Sequence, residues 1–198
     1  MKKFDIRKFK LRKVTVDQLS DRLLLVNLYI TQAITFIIGL IVVLLQGRNV
    51  IALFEWPRAY EFALWGGGLG LLVLLANLAI SKFVPEEAQD DGGVNERMFR
   101  DRPIWHIAVL AAVIAVCEEL LFRGAIQHAF GPYWTSIAFA AIHVRYLRHW
   151  IPTGLVFLIS YGLGWAMVRT GTIWTPIIAH FLIDFIMGCI IRLRREKA

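Results

Sequence analysis

Charge is scarce in this 198-residue chain: Asp, Glu, Lys and Arg make up 19% of it, against 58% apolar residues and a mean hydropathy of +0.59. Soluble domains run at about 25% charged and 45 to 50% apolar, so a water-soluble globule of this composition would expose too much apolar surface. Cysteine is rarer still, with only Cys117 and Cys189. Both lie inside apolar blocks and read as small packing hydrophobes, which excludes a secreted disulfide scaffold. Proline is confined to the edges. Pro57 and Pro85 fall in polar connections, while Pro103, Pro132, Pro152 and Pro176 sit near the starts of apolar blocks, where proline sacrifices no helical hydrogen bond. Disordered and collagen-like classes are excluded by the same apolar excess.

What the chain does have is long uncharged runs. Residues 23–45 give 23 positions without a charge and residues 62–80 give 19, close to the roughly 20 that a helix needs to cross about 30 Å of hydrocarbon. The seven Lys or Arg among the first 13 residues resemble a signal-peptide n-region, but the apolar run is too long and no small-residue cleavage site follows, so the first span is read as permanent. Gly66, Gly67, Gly68 and Gly70 lack the Lys-Ser or Lys-Thr of a phosphate loop; Gly66 and Gly70 fit close helix packing instead. Residues 81–103 turn polar. Four further blocks follow at 104–122, 133–144, 151–168 and 173–191, the second of them too short, at about 18 Å, to span unaided.

The expected architecture is an all-α polytopic membrane bundle of about six helices, one short. Its divisions are a basic segment at 1–22, two leading transmembrane helices at 23–80, a polar loop at 81–103, a four-helix core at 104–192 and a basic tail at 193–198. If all six blocks cross, 18 of the 22 Lys and Arg fall on one side, which predicts a multi-pass cell-membrane protein with both termini cytoplasmic. The net charge of +7 is carried at block ends, where basic residues face anionic lipid. No nucleic-acid module accompanies it.

Ionisable groups inside a span cost about 2.5 to 3.5 kcal/mol each on insertion scales. Here they are Glu118, Glu119 and Arg123 in the third block, His143 in the fourth, and His180 and Asp184 in the sixth. His106, His128 and His149 read as interfacial polar tips. Adjacent glutamates on a helix point about 100° apart, so Glu118 and Glu119 must do different things. Glu119 and Arg123, at i and i+4, suit an ion pair, which leaves Glu118 as the unpaired carboxylate and candidate general base. His180 and Asp184 are also at i and i+4. With Thr175 as cap and Pro176 as the first residue, His180 sits one turn into its helix, where the dipole favours a neutral ring able to donate a hydrogen bond. Phe139 shares a face with His143 and can wall the pocket above it.

Glu118-Glu119-Leu-Leu-Phe-Arg123 resembles the E-E-x-x-x-R motif of the CAAX prenyl protease and bacteriocin-processing (CPBP) family of intramembrane endopeptidases. Phe139-Ala-Ala-Ile-His143 resembles its F-x-x-x-H motif, and His180-Phe-Leu-Ile-Asp184 its third motif, His followed after three residues by Asn or Asp. The match covers about residues 100 to 195 and leaves the first two spans outside. The resemblance implies peptide-bond hydrolysis within or beside the membrane. Glu118 would activate water, His143 would hold it, His180 and Asp184 would stabilise the oxyanion, and Glu119, Arg123 and Phe139 would support the geometry. Where the eukaryotic branch carries Asn, this chain has Asp184. A carboxylate repels an oxyanion, so Asp184 must be protonated, act through His180 or bind a metal.

The leading expectation is thus a bacterial intramembrane endopeptidase of glutamate type, without a cofactor, acting on membrane-associated peptides or proteins. Zinc held by Glu118, His143, His180 and Asp184 is the alternative cofactor reading, although the H-E-x-x-H spacing is absent. Alternative functions are a catalytically silent membrane protein that binds a peptide in the same cavity, as an immunity or scaffold factor would, and a small proton-coupled transporter.

Overall fold

A computed structural model describes residues 20–57, 60–83, 93–144, 146–147 and 149–195. The basic stretch before residue 20, most of the acidic connection around Pro85 to Asp91, Arg145, Arg148 and the last three residues lie outside the described residues, and with them much of the charge on which the orientation count rests. Every regular element among the described residues is helical. Five helical runs are long and apolar enough to cross a membrane: Asp21–Leu45, Glu61–Phe83, Ile104–Ile142, Trp150–Thr170 and Trp174–Arg194.

Helix α1 (Asp21–Leu45) starts at Ser20, whose hydroxyl accepts from the Leu23 amide. A short α2 (Val50–Leu53), capped by the Asn49 carboxamide, leads to α3 (Glu61–Phe83). After α4 (Val94–Phe99) the chain enters α5 (Ile104–Glu119), with Pro103 as its N-cap. Then come α7 (Trp150–Thr170), closed by Gly171 in the left-handed region, and α8 (Trp174–Arg195).

The third and fourth apolar blocks are not separated by a loop, as the sequence reading expects. Helix α5 passes into a π-helical turn at Leu120–Ile126 and then into α6 (Gln127–Ile142), whose backbone breaks at Gly131 with φ 75° and ψ 172°. Only glycine takes that conformation without strain, and Pro132 directly after it starts a fresh helical segment. Seventeen residues of unbroken helix would hold Phe122 and Phe139 about 25 Å apart, yet their ring centroids lie 4.7 Å from each other. The chain therefore doubles back at Gly131. Its return limb is the expected short helix, fused to the third span and too short to cross alone.

Glycines set the close approaches that place the functional helices. A Cβ on Gly66 would come within 2.8 Å of the Thr175 carbonyl oxygen, and one on Gly70 within 3.3 Å of that of Ala179. Helix α3 thus lies directly against α8, as the spacing of these two glycines implies. Gly39 does the same for α1, since a Cβ there would meet the Leu121 backbone at 3.0 Å. Glycine at such contacts lets two helix backbones approach where no hydrophobic force distinguishes protein from lipid.

Candidate functional site

The E-E-x-x-x-R segment straddles the end of α5 and the π-helical turn. A π-helical turn shifts hydrogen bonding by one residue and leaves carbonyls to be satisfied from outside, a feature common near functional sites. Here the helper is the end of α1. The Gln46 amide donates to the Ala125 carbonyl at 3.0 Å, and the Arg48 guanidinium donates to the Gly124 carbonyl. Neither residue stands out in the sequence, because both lie in what reads as a polar connection.

The two glutamates divide as their helical angle requires. Glu119 is fully buried, and Arg123 is 1% exposed. The guanidinium donates from Nη1 to Glu119 Oε1 at 3.2 Å, while Nε faces Oε2 at 3.1 Å. That second contact is ionic, its angle falling outside hydrogen-bonding range. Arg123 Nη2 also donates to the carbonyl and to the hydroxyl oxygen of Ser160 in α7, both at 2.9 Å. The expected Glu119–Arg123 pair is therefore present, with Ser160 as a partner the sequence did not announce.

Glu119 also receives His180. The ring Nδ1 lies 2.7 Å from Glu119 Oε1, and Nε2 lies 3.5 Å from Asp184 Oδ2. A carboxylate beside Arg123 only accepts, so Nδ1 carries its hydrogen. The single N–H of a neutral His180 is thus directed at Glu119, and donation from Nε2 requires a second ring proton. The cap differs from the expected one. Thr172 Oγ1 accepts from the Trp174 amide at 3.3 Å, whereas Thr175 is buried and its hydroxyl is 2.6 Å from that of Thr170.

Phe139 joins the three motifs. Its ring is stacked on His143 with centroids 4.5 Å apart, meets His180 edge-on at 6.4 Å, and lies 5.0 Å beneath the Arg123 guanidinium carbon. The expected wall above His143 is thus present. His143 itself ends α6, and its Nδ1 lies 2.7 Å from the Phe139 carbonyl oxygen. Since a carbonyl only accepts, Nδ1 holds the hydrogen and Nε2 of the neutral ring is an acceptor. The Tyr146 ring lies nearly parallel to that of His143, with centroids 6.3 Å apart.

Glu118 turns instead toward α1. It is half-buried, and Gln32 donates from Nε2 to its Oε1 at 3.0 Å. The carboxylate reads from the sequence as unpaired; the structure gives it an amide partner from a leading helix outside the three motifs. Glu119 and Arg123, the Phe139–His143 pair of α6, His180 of α8 and Ser160 of α7 therefore gather at one place, while Glu118, next to Glu119 in the chain, faces Gln32 of α1. An apolar cleft between α3 and α7, lined by Trp65 and Trp165, contains no titratable side chain.

Among the described residues no three His, Cys, Asp or Glu side chains converge as a metal-ligand group. Nδ1 of each motif histidine is engaged, with Glu119 and with the Phe139 carbonyl, so Nε2 is the atom of each ring that would hold a metal. The remaining sequence candidates stay peripheral: His128 is exposed, His149 caps α7, and His106 bonds the Tyr29 hydroxyl at 3.1 Å. Cys117 and Cys189 are unbridged.

Residues 100–186 match the family model described as type II CAAX prenyl endopeptidase Rce1-like. The chain is also 39% identical over 153 residues to an uncharacterized Bacillus subtilis protein, YpbD, covering 76% of this chain and 80% of that one. No solved structure matches. All seven motif residues lie inside the matched stretch, and Gln32, Gln46 and Arg48 lie outside it.

Proposed function

Because the chain belongs to the Rce1-like family of type II CAAX prenyl endopeptidases, we propose that it is a membrane-embedded endopeptidase. It hydrolyses peptide bonds of membrane-associated peptides or proteins with water activated by Glu118. The observation that carries this reading is the division of labour between the two glutamates. Glu119 is sealed in an ion pair with Arg123 and bonded to His180, whereas Glu118 is half-buried and, among the described residues, held at one oxygen by Gln32.

In this mechanism Glu118 takes a proton from water, which is held by Nε2 of His143, and the resulting hydroxide adds to the scissile carbonyl carbon. The carbonyl electron pair moves to oxygen, where a doubly protonated His180, its Nδ1–H directed at Glu119, donates its second N–H from Nε2. Asp184, whose Oδ2 lies 3.5 Å from that nitrogen, serves as the ion-pair partner of the protonated ring and not as a donor to the oxyanion. Asp184 therefore acts through the His180 ring. As the tetrahedral intermediate collapses, the C–N bond breaks and the amine leaves with the proton held by Glu118. Glu119 and Arg123 keep His180 oriented, and no metal takes part.

The protein is a multi-pass membrane protein, and we place both termini on the cytoplasmic side, which counts the return limb after Gly131, packed among its neighbours, as a sixth pass. Arg123, counted in the sequence among loop charges of the opposite face, is buried and leaves that count, which strengthens the asymmetry.

Membranes from cells carrying wild type or Glu118→Gln are compared by terminal-peptide mass spectrometry. Full-length partners that accumulate in the variant, with loss of their new termini, are expected. Identical terminal profiles would overturn the reading. Retained function in Glu118→Gln with loss on bulky substitution at Phe139's neighbours would favour the silent peptide-binding protein.

A further inference from the structure

Gln32 is the twelfth residue of a 25-residue apolar helix, and it is buried, at 8% exposed. A carboxamide at that depth is costly unless its donors and acceptor find partners. Its Nε2 finds Glu118 Oε1 at 3.0 Å, whereas its Oε1, equally buried, has no partner among the described residues. The placement is not accidental to the fold. Two turns further along the same helix, Gly39 brings the α1 backbone against Leu121, and beyond it Gln46 and Arg48 bind the π-helical turn. Helix α1 is thus docked at three levels along the segment that carries the two glutamates.

We infer that Gln32 is a positioning residue for Glu118, fixing one carboxylate oxygen by its amide N–H and offering its own carbonyl oxygen to the attacking water. The inference rests on the reading of Glu118 as the base. Because the amide donates to Oε1, the carboxylate cannot rotate freely, and the other oxygen is the one left to take the proton. Both heteroatoms of the amide belong to one planar group, so Gln32 Oε1 lies within about 5 Å of the carboxylate, a gap that one water spans with two hydrogen bonds. A water held there has an acceptor for each hydrogen: Glu118 for the proton that transfers and Gln32 for the one that stays. An ordered buried water needs two to four such partners.

The test uses purified full-length protein in liposomes with pools of internally quenched apolar decapeptides, and the variants Glu118→Gln, Gln32→Met and Gln32→His. Methionine matches glutamine in length, removes both polar atoms and suits an apolar span; histidine restores a ring nitrogen at similar reach. The expected result is a fall in kcat of about 10- to 100-fold for Gln32→Met, as for loss of a hydrogen bond to a charged group. KM should stay within about twofold and thermal stability should be undiminished, with Gln32→His recovering most of the rate. Wild-type kcat in Gln32→Met, with Glu118→Gln inactive, would overturn this inference alone. A lowered melting temperature and raised KM without rescue by Gln32→His would assign Gln32 a merely structural role and overturn it too. A wild type that cleaves no peptide would remove the proposed function along with it.

Discussion

Replacing Arg123 by methionine tests the buried network with a magnitude that follows from its geometry. The guanidinium is 1% exposed and makes hydrogen bonds to Glu119 at 3.2 Å and to the two Ser160 oxygens at 2.9 Å. Taking it away leaves a fully buried carboxylate with His180 as its remaining partner. Breaking a buried pair from one side costs about 3 to 5 kcal/mol, because the stranded charge is uncompensated. At about 2 to 4 °C per kcal/mol for a chain of this size, the melting temperature falls by about 6 to 20 °C. The double variant Glu119→Leu/Arg123→Met removes both charges and leaves only neutral or ring groups unpaired, at about 1 to 3 kcal/mol. It is therefore expected to be more stable than the single variant, though inactive. Thermal unfolding of the purified proteins, followed by fluorescence of the seven tryptophans, reads both. A single variant within 2 °C of wild type, or a double variant less stable than the single, would refute the reasoning.

Other consequences can be checked on the same preparations. Gly66→Leu drives a side chain into the Thr175 carbonyl and displaces α8 with His180 and Asp184, so turnover should fall at least about 100-fold; Gly68→Ala, facing open space, should change nothing. His180→Phe keeps an aromatic ring but removes the Nε2 donor and should cost about 10²- to 10³-fold in kcat. Asp184→Asn should stay within about tenfold of wild type in steady-state assays; the reverse order of severity would contradict the assignment of the oxyanion donor to His180. Incubation with a strong zinc chelator should leave the rate unchanged, and loss of activity restored by added zinc would sink the metal-free mechanism.

Much of the helical frame was legible in the sequence because lipid imposes it. Uncharged runs at 23–45 and 62–80 read directly as α1 and α3, since an unsatisfied backbone cannot cross hydrocarbon except as a helix or closed barrel. The i, i+4 relations of Glu119 with Arg123 and of His180 with Asp184 are equally local and appear as contacts. What stayed hidden depends on distant partners or on a single backbone angle. Nothing local distinguishes a loop from the break at Gly131, so the return limb reads as a separate block. Gln32 escapes a search for charged groups because an amide is neutral; only its burial beside Glu118 gives it meaning. Ser160, Gln46 and Arg48 are common surface types whose roles arise from the carbonyls and the guanidinium that the fold brings to them.

The most direct test of the central claim is hydrolysis in H₂¹⁸O. Wild-type protein reconstituted in liposomes is given the quenched peptides, and the new C-terminal carboxyl group is weighed by mass spectrometry. One ¹⁸O atom per cleaved bond, with no product from Glu118→Gln under the same conditions, is the predicted result. Cleavage by Glu118→Gln at the wild-type rate, or no cleavage by wild type, would contradict the account.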